Sequence, residues 1–130
     1  MTVSFRTKRF DTSIEPDVGF NGKDLALWLS DELKGWEARV FEEDWGWALI
    51  VERAGCRFLV GVYDYETNDE NEYGAKWIIK CSEEVRLLRR LSFAFGGTKP
   101  ELDVESVIKE IGRILRSDGE IHDVENTLEP

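Results

Sequence analysis

The chain has 130 residues, 42% of them apolar and 34% charged, with a formal net charge of −10 and a pI near 4.6. That length suits one domain, able to bury roughly 68% of its unfolded surface without disulfides or metal, and the 12% aromatic content argues against a disordered chain. The charge disfavours nucleic acid and anionic membrane surfaces, which are held by clustered Lys and Arg, and suits steered association with a basic protein.

Residues 3–9 alternate Val3, Phe5 and Thr7 with Ser4, Arg6 and Lys8, the pattern of a half-buried strand. A loop over 11–20 carries Pro16 and Gly19. Asn21 then reads as a helix cap with Asp24 in the first turn, and Leu25, Trp28, Leu29, Leu33 and Trp36 follow at helical spacing until Gly35 ends the helix. Four strand-like runs come next, over 37–42, 46–53, 56–65 and 75–81. Ala54-Gly55 is a turn, and residues 66–73 form a polar link. Links this short imply antiparallel hairpins, because a parallel crossover needs a dozen or more residues. The third run is apolar on both faces through Phe58, Leu59, Val60 and Val62, which suits the middle of a sheet.

Ser82 reads as the cap of a second helix, with Glu83 and Glu84 at its start and Arg89 and Arg90 towards its end. A third helix begins near Pro100 and carries the stripe Val104, Val107, Ile108, Ile111 and Leu115. Residues 121–126 form a last edge strand or a tail. No repeat or low-complexity linker divides the chain, so residues 1–130 are expected to be one α+β domain. It has a mainly antiparallel sheet of about five strands, joined by the N-terminal strand, with two or three helices packed against it. Met1–Phe10 lacks the form of a signal peptide, and no apolar run approaches the roughly 20 residues that cross a bilayer. A soluble, cytoplasmic protein is expected.

Most site chemistries are poorly served. His122 is the sole histidine, so a Ser-His or Cys-His nucleophile has one candidate base, in the C-terminal segment beside Asp123. Two cysteines, Cys56 and Cys81, give no zinc spacing and are expected as buried thiols. Gly96-Gly97 lacks the spacing of a phosphate-binding loop, and the acidic run from Asp64 puts Asp69 and Ala75 where a calcium loop needs glycine and glutamate. Neither a metal nor a cofactor is therefore expected. A carboxylate-based hydrolase needs only two acids in one cleft, and stays open as an alternative beside a small-ligand or scaffold module.

Charge and aromatic surface coincide in two places. One is the acidic hairpin loop with Asp64, Tyr65, Glu66, Asp69, Glu70 and Glu72. The other is the corner Glu42, Glu43, Asp44 and Trp45, which leads through Gly46 into Trp47. In a strand Trp45 and Trp47 would share a face; Trp47 goes with Leu49 and Val51 into the core, leaving Trp45 as a rim contact. Carboxylates pair with Lys and Arg, and aromatic rings give rigid contact area, so both segments are expected to bind a basic partner.

The runs Asn21–Leu29, Glu43-Asp44-Trp45-Gly46-Trp47 and Phe58–Val62, with a closing segment like Ile121–Val124, resemble small bacterial proteins of uncharacterised function. The resemblance spans about residues 20–125 and implies a bacterial source but no activity. Size, acidity and α+β character also resemble bacterial immunity proteins, which neutralise a toxin domain by covering its active site. That likeness implies a non-enzymatic, antitoxin-type inhibitor of a basic protein.

Overall fold

The computed structural model describes residues 1–15, 17–66, 71–83 and 103–127. Six strands and two helices follow along the chain: β1 (Thr2–Thr7), α1 (Lys23–Glu32), β2 (Glu37–Glu43), β3 (Gly46–Arg53), β4 (Cys56–Glu66), β5 (Ala75–Glu83), α2 (Val104–Arg116) and β6 (Ile121–Thr127). The strands form one antiparallel sheet in the order β2-β3-β4-β5-β1-β6. The expected α+β arrangement is present, with one strand more than expected because residues 121–127 pair with β1. The doubly apolar run is indeed interior, between β3 and β5.

Strand alternation divides the sheet into a covered and an uncovered face. Val3 and Phe5 of β1, Leu49 and Val51 of β3, Phe58, Val60 and Val62 of β4, and Trp77 and Ile79 of β5 point to the covered face and are almost wholly buried. Leu25, Ala26 and Leu29 of α1 and Ile108, Ile111 and Leu115 of α2 join them in one core. Asp103 caps α2, its carboxylate accepting the Ser106 backbone N–H at 2.9 Å, which holds that carboxyl below its usual pKa.

Several local expectations are corrected. Asn21 does not cap α1; Gly22, with φ of +122°, holds that position, and the Asn21 side chain is buried in other work. The helix stops at Glu32, so Trp36 lies beyond it and meets Phe58 edge-on at 6.2 Å between ring centres. Ser82 and Glu83 belong to β5 rather than to a helix start, and the rest of that expected second helix lies outside the described residues. Cys56 and Cys81 are both buried, as expected. Cys81 pairs with Val60, four positions along β4 from Cys56, or about 13 Å, too far for a disulfide. Burial pushes the Cys81 thiol up to about 12.

The β3–β4 turn puts Ala54 at φ 53° and Gly55 at φ 77°, the conformation of a primed two-residue hairpin. Alanine is poorly suited to that region, whereas asparagine enters it readily. Ala54→Asn is therefore expected to raise stability by about 0.5–1 kcal/mol, read as a higher urea midpoint at unchanged slope.

Candidate functional site

β2 and β4 run towards one end of the sheet and β3 and β5 run back from it. The Asp44-Trp45 turn and the β4–β5 link therefore share that upper end, and the Ala54-Gly55 turn lies at the other. The segment between β1 and α1 closes over the same end. Trp47 Nε1 donates to the Phe20 carbonyl at 3.1 Å, and Asn21 ties the segment to itself and to β4. The Asn21 side-chain oxygen accepts from the Ile14 N–H at 3.0 Å. Its amide nitrogen donates to the Ile14 carbonyl at 3.3 Å and to Asp64 Oδ2 at 2.9 Å.

Asp44 and Trp45 form a two-residue turn, and Gly46 at φ +148° starts β3. Being in the turn frees Trp45 from strand alternation. Its ring crosses to the face opposite Trp47, which packs against the core as expected. There it lies over Gly61, where an added Cβ would stand 3.0 Å from the Trp45 ring, and it stacks on Tyr63 with centroids 5.2 Å apart and planes 25° apart. Burial under this stack raises the Tyr63 phenol pKa. Ala48, opposite Gly61, is fully covered although it lies on the uncovered face.

The expected site residues divide accordingly. Glu42, Glu43 and Asp44 are exposed, and none of their side chains makes a hydrogen bond or ion pair among the described residues. Trp45 is 37% exposed and Tyr65 66%, the latter with Lys76 Nζ 5.4 Å from its ring centre. Glu72 is exposed beside Tyr73, whose hydroxyl it holds above its usual pKa by hydrogen bonding. Asp64, expected at the surface, is instead half-buried and engaged by Asn21. Asp69, Glu70 and the side chain of Glu66 lie outside the described residues.

Ile14, Val18, Phe20 and Tyr63 escaped the sequence reading. Among the described residues the exposed large apolar side chains are Ile14, Val18, Phe20, Leu27, Trp45, Tyr65 and Tyr73, and all but Leu27 belong to segments at the upper end. For Tyr63 a signal existed: Gly61 breaks a bulky strand, which marks a close approach, and Tyr63 lies two residues on, on the same face.

His122 stands 4.5 Å from the Tyr73 ring centre, in a shallow depression of about 340 Å³ shared with Lys8, Arg9, Glu72 and Glu120. Arg9 is already taken by Asp118 at 2.7 Å and Glu120 at 3.2 Å. Among the described residues no cluster of three or more His, Cys, Asp or Glu could hold a metal, and no helix is long and apolar enough to cross a membrane. Compared with protein-family models, curated proteins and solved structures, the chain finds no match.

Proposed function

We propose that this is a non-enzymatic protein-binding domain of a bacterial cytoplasm, most concretely an immunity or antitoxin-type inhibitor that occludes the cationic surface of a basic partner. The observation that supports it is the coincidence, at one end of the sheet, of exposed apolar side chains and carboxylates without ion-pair partners among the described residues. Apolar side chains left in water at one end of a sheet are a cost that a binding surface repays. Rigid aromatics such as Trp45 and Tyr65 supply contact area with little rotamer entropy to lose. Glu42, Glu43 and Asp44, without ion-pair partners among the described residues, together with the exposed Glu72, can pair with Lys and Arg. With a net charge of −10, encounter with a basic partner is electrostatically steered.

Capture from the native cell is expected to bring down a basic protein. Its affinity should fall steeply between about 50 and 200 mM salt, since screening shortens the reach of these charges. The combined Glu43→Lys, Asp44→Lys, Glu72→Lys variant is expected to associate at least about tenfold more slowly, with a smaller change in dissociation. A tight complex indifferent to salt and to these reversals would sink the mechanism.

A further inference from the structure

Three of the five tryptophans carry a cation of this chain on the indole face: Arg9 lies 5.4 Å from the Trp28 ring centre, Lys23 5.4 Å from Trp47 and Arg53 5.5 Å from Trp36. Trp77 is fully buried. Trp45 is the exception, because among the described residues no cation lies over its ring although the ring reaches solvent. Gly61 and Tyr63 back one side of the indole and fix its plane, so no mobile side chain must be ordered to use it. Glu43 projects from β2 on the same face of the sheet, and Asp44 directly precedes Trp45 in the turn; both carboxylates lack partners among the described residues.

An aromatic face with no cation over it among the described residues, beside carboxylates without described partners, matches one side chain best. A guanidinium is flat and weakly hydrated, so it can stack on the indole while its N–H edge donates to a carboxylate at the rim. An ammonium is compact and strongly hydrated and does one or the other. We propose that Trp45, backed by Tyr63 and flanked by Glu43 and Asp44, receives an arginine side chain of the basic partner. The proposal rests on the occlusion reading above and names the group that this end of the sheet takes.

The test uses the full chain, labelled with nitrogen-15, titrated with hexa-arginine and with hexa-lysine peptide at low salt. Indole N–H signals are followed, and that of Trp45 is assigned by its loss in Trp45→Leu. Hexa-arginine is expected to shift the Trp45 signal and to bind about fivefold tighter than hexa-lysine. Trp45→Leu should weaken hexa-arginine about tenfold and bring the two peptides level, and Trp45→Phe should fall between. Glu43→Gln with Asp44→Asn should weaken both peptides. Equal binding of the two peptides by the wild type, an unmoved Trp45 signal, or unchanged affinity in Trp45→Leu would each overturn the arginine assignment. If those results came with salt-sensitive capture of a basic protein, the occlusion reading would survive; loss of both would remove both. A thermal melt of each variant guards against misfolding, and Trp45→Phe keeps the comparison alive if the leucine variant does not fold.

Discussion

Gly74→Ala is expected to cost at least about 3 kcal/mol of folding stability, lowering the melting temperature by roughly 10 °C. Gly74 enters β5 at φ +92°, a region that costs an ordinary L-residue about 1–2 kcal/mol. The larger part is steric. A Cβ there would sit 2.4 Å from the Thr7 carbonyl oxygen and 2.6 Å from its carbon, both backbone atoms of β1. β1 cannot move aside, because β5 holds one of its edges and β6 the other. The Gly74 carbonyl also accepts from Arg6 Nη1 at 3.1 Å, so a displaced residue 74 loses that bond too. Gly55→Ala is the control: its φ is +77° but nothing lies within 4 Å, so it should cost only the backbone strain, about 1–2 kcal/mol. Urea unfolding of the two variants separates clash from conformation, and equal losses would refute the steric account.

Asn21→Leu is expected to cost about 3 kcal/mol and to loosen the candidate binding surface. The buried amide satisfies the N–H and carbonyl of Ile14 and one oxygen of Asp64. Leucine leaves all three without those partners, and each buried polar group so stranded costs about 1–3 kcal/mol unless water reaches it. Water can reach the partly exposed Ile14 and Asp64, which is why the total is set near the lower end. The signature is regional: backbone amides of residues 11–22 should exchange with deuterium faster, while those of β3 and β4 stay protected. Because that segment presents Ile14, Val18 and Phe20, the variant should also bind the captured basic partner more weakly. Uniform loss of protection across the sheet would show that Asn21 supports the whole fold instead.

Most of the sheet was legible because its strands alternate and its turns carry their own chemistry. Val3-Phe5-Thr7 and Trp47-Leu49-Val51 face the core as their spacing requires, and Ala54-Gly55 makes the turn expected of it. What the sequence hid were choices settled by tertiary contact. Asn21 has the identity of a helix cap, but Asp64 lies some forty residues away, and only the folded sheet brings it within hydrogen-bonding reach. Ser82 and Glu83 likewise have the chemistry of a helix start, yet pairing with Leu59 and Phe58 holds them in β5. β3 begins at Gly46 as its pattern requires, but Trp45 lies in the turn just before it, outside the strand alternation. Periodicity says nothing once a side chain sits in the turn. The acidic corner could be read as exposed, but its aromatic backing on Tyr63 and Gly61 could not, because it comes from a strand pairing rather than from neighbours in the chain.

The position of β1 orders the assembly of the molecule in time. Thr2 is paired with Lys80 on one side and with Thr127 on the other, so β1 must wait for neighbours that lie far along the chain. Residues 37–83 can form their meander from hairpin contacts alone, but its β5 edge stays open until β1 docks. During synthesis that edge is a row of unpaired backbone groups beside Trp77 and Ile79, open to pairing with another chain. Once β1 has docked on β5, its own outer edge stays open until β6 emerges. A nascent chain halted before β6 is therefore the species in which aggregation, or rescue by a chaperone, should concentrate.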